Sequence, residues 1–193
     1  MQLYDLNGKR LYLTQEERKA FLKAADKAPR IVRTFCHVLA YTGCRISEAL
    51  ALIPSRIDFS GKVIIYETLK KRRKGVYRAV PVSDSLLDLL DMVHGLRETV
   101  KSKPGTLEKP IWSWSRMTAW RKIEGVLEAA GIAEGPHRCP KGLRHGYGVA
   151  AISSGVPLNL LSKWMGHASL EVTAIYANAQ GEEQWNIAAR MWQ

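Results

Sequence analysis

Along the 193 residues of this chain the hydrophobic period changes once and then changes back. Lys62–Leu69 (KVIIYETL) and Val76–Val82 (VYRAVPV) are rich in β-branched residues, as half-buried strands are. Between them lies KKRRKG, a basic turn ending in Gly75. This predicts one β-hairpin with a cationic tip. On both sides the apolar residues fall at helical spacing instead. Before the hairpin, Thr14 and Glu17 form a capping box for a helix that stops before Pro29. Further helices are predicted over Ile31–Tyr41, broken by Thr42-Gly43, and over Ile46–Ile53, ended by Pro54. After the hairpin, Ser83 caps a helix running Leu86–Leu96, and another covers Ser115–Ala130. Glu98–Pro110 is a polar surface loop. The end of the chain reads as helices over Lys141–Ser154, Pro157–Met165, Leu170–Ala179 and Glu182–Met191. A hairpin inside a helical chain of this length predicts a single α+β domain, mainly α, over residues 13–193, with residues 1–12 as a loose arm.

Charge narrows the function. Lys plus Arg is 29 against 18 Asp plus Glu, a formal net charge of +11. With a pI near 9.7, this is the electrostatic footprint of a nucleic-acid partner. Cys36, Cys44 and Cys139 are odd in number and lack CxxC spacing, so they read as reduced thiols of an intracellular protein. No apolar run approaches the roughly 20 residues that span a bilayer. The N-terminal residues lack the apolar core of a signal peptide. The expectation is a cytoplasmic protein.

The chemistry concentrates in Lys141–Tyr176, which holds Lys141, Arg144, His145, His167 and Tyr176. Three positions apart on a helix, Lys141 and Arg144 share a face and can reach one ligand. Guanidinium matches phosphate oxygens in bidentate fashion, and a phenol is a possible covalent nucleophile. Arg45 opens a helix, where the dipole favours anions, so it is suited to receive one; Glu48 could orient it. Taken singly, each has a plainer reading. Arg45 could be a surface ion pair, Lys141 and Arg144 solvated cations, His167 a cap and Tyr176 a core aromatic. His145, His37 and His137 read as core or supporting histidines. Lys70 or Lys71 could swing from the hairpin to protonate a leaving oxygen. Lys71, Arg72, Arg73 and Lys74 read more simply as phosphate-backbone contacts. There is no HExxH or clustered His-carboxylate spacing for a metal, and no GxxxxGK[ST] loop for a nucleotide. No cofactor is expected.

Together these spacings resemble the tyrosine recombinase (phage integrase) family. TGCRISEAL resembles its first arginine box, KGLRHGYG its [His/Lys]-x-x-Arg-His box, and LLSKWMGHASLEVTAIYANA its Gly-His to Tyr run. The match covers about residues 13–180. The resemblance implies the catalytic-domain fold of DNA breaking-rejoining enzymes and a double-stranded DNA substrate. It implies a catalytic set of Arg45, Lys70, Lys141, Arg144, His167 and Tyr176. Tyr176 would form a 3′-phosphotyrosine, the two arginines would clamp the scissile phosphate, and Lys70 would serve as general acid, with Lys71 the rival. Lys141 stands where the family often has His. The reaction would need no metal or nucleotide. The family's N-terminal DNA-clamping domain is missing, so a naturally short recombinase like the fimbrial-phase inversion enzymes, or an excised catalytic fragment, is expected. Self-association on DNA as a tetramer, through the last helix with Trp185 and Trp192, is also implied. A DNA-binding regulator without turnover and a type IB topoisomerase-like enzyme are the alternatives.

Overall fold

The structure is a computed structural model, and it describes residues 2–68, 75–98, 107–178, 185 and 188–192. Helix α1 (Gln15–Ala25) begins as expected: the Thr14 hydroxyl accepts from the Glu17 amide while the Glu17 carboxylate accepts from the Thr14 amide. Helix α2 (Arg30–Thr42) is the axis of the molecule. Val32, Phe35, Cys36, Val38, Leu39 and Ala40 are all buried. A helix apolar on nearly every face must be surrounded, and α2 packs against α1, α3 (Ile46–Leu50), α4 (Asp84–His94), α5 (Arg116–Ala129) and α6 (Pro140–Ser153). It ends at Gly43, whose φ of 58° is left-handed and whose amide bonds the Leu39 carbonyl. Helices α7 (Leu158–Met165) and α8 (Leu170–Ala174) follow.

Ser83 caps α4, as read from the sequence, and Ser115, expected as the first residue of a helix, caps α5. The hairpin is also present, as β2 (Val63–Glu67) and β3 (Tyr77–Pro81), paired antiparallel with Ile64 opposite Val80 and Tyr66 opposite Arg78. A third strand, β1 (Ile57–Asp58), joins β2. It was not foreseen, because two residues are too few to show an alternation.

Other differences are local. Helix α3 stops at Leu50, short of the expected Ile53. The expected helix over Leu170–Ala179 tightens after Ala174 into a 3₁₀ turn, Ile175–Asn178. Residues 1–12, expected as a loose arm, fold back on themselves. Tyr4 bridges Arg10, the Leu11 amide bonds the Leu3 carbonyl, and Leu3 and Tyr12 are buried. Arg10 ties the arm to α1 through Glu17 and the Tyr12 carbonyl. The expected helix over Glu182–Met191 falls in part outside the described residues; among the described ones, Ala189–Trp192 form a 3₁₀ turn.

Two apolar clusters result. The larger surrounds α2. The smaller gathers Leu3, Tyr12, Val149, Leu161, Met165 and Tyr176. The boundary between them is where the predicted site residues meet.

Candidate active site

Arg45 leaves α2 through the Gly43 turn and stands at the N-cap of α3. Its amide donates to Glu48 Oε2 and its guanidinium to Glu48 Oε1, both at 2.8 Å. The expectation that Glu48 orients Arg45 therefore holds. Glu48 itself is fully buried and also grips Arg78, whose Nη2 lies 2.7 Å from Oε2. Burial alone would raise the Glu48 carboxyl, but Arg78 and then Arg45 outweigh it and hold it below the usual carboxylate range. The carboxylate stays charged between two cations, and Arg45 keeps one edge in solvent at 28% exposure.

Helix α6 supplies the next two groups. Cys139 is its N-cap and Pro140 its first residue. Lys141 is exposed and Arg144 buried. Arg144 Nη1 donates to the Gly43 carbonyl at 2.6 Å and Nη2 to the Met165 carbonyl at 2.7 Å. These are the C-terminal ends of α2 and α7, so the guanidinium closes two helix termini at once. Burial and the Arg45 charge lower Arg144 to about 10, which leaves it cationic at neutral pH. Of its five N–H donors two are spent, and Nε has no partner among the described residues. Arg45, Lys141 and Arg144 line one cleft of about 450 Å³ together with Arg116 and Trp120. Four cations and no carboxylate on one wall make it a receptor for an anion.

His167 follows Gly166, the left-handed cap of α7 with φ 64°. Its Nδ1 is 2.7 Å from the Thr173 hydroxyl, and its Nε2 has no partner among the described residues. Burial, with Arg144 and Arg45 nearby, pushes it down to about 3, so it is neutral. Its ring stacks on Tyr176, centroids 6.1 Å apart and planes 20° apart. Tyr176 is fully buried. Its hydroxyl lies 3.1 Å from His145 Nδ1, and its ring presses so closely on Gly148 that a Cβ there would sit 2.6 Å from the ring carbons. Burial lifts the phenol to about 12, while burial and the charges of Lys141 and Arg144 lower His145 to about 4. Both shifts oppose moving the proton from Tyr176 to His145 in this arrangement. His145 therefore orients the phenol and does not deprotonate it here.

Of the predicted residues, Arg45, Lys141 and Arg144 come together in the cleft, and His167 and Tyr176 stack on each other within reach of the Arg144 charge. Lys70, Lys71, Arg72, Arg73 and Lys74 lie outside the described residues. Arg78 was missed as a site residue. Its signal was present, since an arginine alternating with Ala79-Val80 occupies an inward position of its strand, opposite buried Tyr66. Among the described residues no group of three or more His, Cys, Asp or Glu is placed to hold a metal ion, and no helix is long and apolar enough to cross a membrane.

Comparison with known proteins bears on the family and the fold. The phage integrase family model matches residues 11–183. Tyrosine recombinase XerD of Mycobacterium leprae (strain TN) is 30% identical over 155 residues, covering 75% of this chain and 46% of the relative, so the chain spans about half of that protein. The type 1 fimbriae regulatory protein FimB of Escherichia coli (strain K12) is 29% identical over 186 residues, 94% of this chain and 90% of FimB. Among solved structures, XerH site-specific recombinase bound to its difH substrate matches with a TM-score of 0.72 at 22% identity, covering 98% of this chain and 60% of XerH. A model match across most of the length, on a helical fold with one small antiparallel sheet, identifies the chain as a member of the phage integrase (tyrosine recombinase) family.

Proposed function

We propose that the chain is a site-specific DNA recombinase acting through a covalent phosphotyrosine. The observation that carries this reading is the convergence of Arg45, Lys141 and Arg144 in one cleft, with the Tyr176 phenol within reach of the Arg144 and Arg45 charges. The phenolic oxygen of Tyr176 attacks the scissile phosphorus and the bond to the 5′ oxygen breaks. A 3′-phosphotyrosine forms; the phenol gives up its proton and the 5′ oxygen gains one. Arg45 and the unspent donors of Arg144 face the non-bridging oxygens and stabilise the added charge. His167 closes the pocket. Lys70 supplies the proton to the leaving oxygen, with Lys71 the competitor for that role. Lys141 assists removal of the Tyr176 proton; as an amine it does so only when deprotonated. Rejoining reverses these steps, so the chemistry calls for no metal or nucleotide.

Double-stranded DNA is the proposed partner. The net charge of +11 and the cationic cleft wall support it, and the fold neighbour XerH is seen on its DNA substrate. Lys71, Arg72, Arg73 and Lys74 would contribute phosphate contacts. Assembly as a tetramer on DNA through the last helix, and residence in the cytoplasm on the nucleoid, complete the reading.

In the structure Tyr176 is withdrawn, so it must leave His145 before it can attack. That feature favours one rival, a DNA-binding regulator without turnover. A nicked suicide DNA substrate separates the two. A recombinase yields a covalent, protease-sensitive adduct that Tyr176→Phe abolishes. A regulator shifts the DNA in a gel and yields none.

A further inference from the structure

We infer that Arg78 is a positioning residue for strand cleavage, setting Arg45 through Glu48 and His167 through the Trp164 carbonyl. The inference rests on the recombinase reading above. Arg78 projects from β3 into the core with its side chain 4% exposed. All three of its nitrogens donate hydrogen bonds. Nη1 and Nη2 donate to the two oxygens of Glu48 at 3.2 and 2.7 Å, and Nε donates to the Trp164 carbonyl at 2.7 Å. Nη1 also reaches the Thr68 hydroxyl at 3.4 Å.

Each contact ends one step from a predicted catalytic group. Glu48 binds both the amide and the guanidinium of Arg45. Trp164 is in the last turn of α7, three residues before His167. The Arg78 side chain also packs against Gly166, where an added Cβ would come within 3.1 Å of Cδ, Nε and Cζ. One guanidinium thus spaces α3 from the α7 turn, and so spaces Arg45 from His167. Only a planar fork does this, because a lysine offers a point charge that can meet Glu48 or Trp164 but not both.

A plain structural role predicts something different. A buried ion pair that merely binds β3 to α3 would, when weakened, reduce stability and DNA affinity together. A positioning role separates them, since a misplacement of about 1 Å in a catalytic group can cost about a hundredfold in rate. Two variants test this on the suicide substrate at saturating DNA. Arg78→Lys keeps the charge beside Glu48. The double variant Glu48→Leu, Arg78→Met replaces the pair by apolar groups, which buried sites often tolerate without loss of stability. The expected result for each is adduct formation slowed at least tenfold, with the DNA dissociation constant within threefold of the parent and a retained cooperative melt. Cleavage within tenfold of the parent in either folded variant overturns the inference, as does a loss that follows DNA affinity.

The parent and Tyr176→Phe are run beside them. A parent that forms no adduct defeats the recombinase reading; the amide resonances of Arg45 and His167 then carry the test. They shift in Arg78→Lys if Arg78 sets their positions, and unchanged resonances overturn the inference.

Discussion

The two halves of the site are built on different terms. On the arginine side, each guanidinium is fixed by hydrogen bonds: Arg45 to Glu48, and Arg144 to the carbonyls of Gly43 and Met165. On the tyrosine side, the proposed nucleophile is a core residue. Tyr176 packs with Leu3, Tyr12, Val149, Leu161 and Met165, and among the described residues its hydroxyl bonds His145. Its turn, Ile175–Asn178, is short and 3₁₀. The contrast teaches that, on the proposed reading, the phosphate-facing arginines are preorganised while the nucleophile is stored, its phenol lifted by burial to about 12.

The most severe break of this contrast is at the nucleophile. Tyr176→Phe should lower adduct formation at least ~10³-fold. DNA affinity should stay within twofold in a gel-shift titration, because binding is spread over many phosphates. Next come the arginines, which should fail differently. Arg45→Ala should slow cleavage by ~10²–10³-fold with little change in melting temperature. Arg144→Ala should abolish cleavage and also cost about 2–5 kcal/mol, because two buried carbonyls lose their donor. In a chain of this size that lowers the melting temperature by roughly 5–15 °C. Equal melting temperatures for the two variants would show that Arg144 is not part of the scaffold.

A gentler test moves the stored ring. Gly148→Ala places a methyl group against Tyr176. Overpacking of this kind costs about 1–3 kcal/mol, and expelling the ring should bring the phenol from about 12 back toward its ordinary 10 in an ultraviolet titration. An unmoved phenol would mean that the ring is held by more than packing. The smallest effect is acid sensitivity. His145 is lowered from 6.5 to about 4, so it is neutral in the fold where the unfolded chain would be protonated. Stability from this group is fully present above pH 6.5 and is lost as pH falls toward 4. His145→Gln should therefore flatten the decline in melting temperature between pH 6.5 and 4; an identical slope would remove His145 from the account.

Much of this was legible in the residues. The Thr14 and Ser83 caps, the Gly43 break and the hairpin rest on local chemistry, which a sequence displays directly. Arg45, Arg144, His167 and Tyr176 were readable because box spacing carries them. Arg78 was not, because its partners Glu48 and Trp164 are 30 and 86 positions away. The alternation puts Arg78 on the same strand face as Val80, but nothing local says which distant groups meet it there. The arm was misread for a similar reason. Leu3 and Tyr12 lack a period of their own and gain a place only when Tyr176 and Val149 form a surface for them. The withdrawn state of Tyr176 is likewise a property of packing, since a phenol in AIYAN gives no sign of whether it points outward.

The Arg144 fork has a bearing on redesign. Its two terminal nitrogens hold the ends of segments 101 and 21 positions away, and its remaining hydrogens are what a substrate would meet. Anyone retargeting such a chain to new sequences could exchange exposed cations outside the cleft. At Arg144 no other natural side chain brings enough hydrogens in one plane to serve both masters.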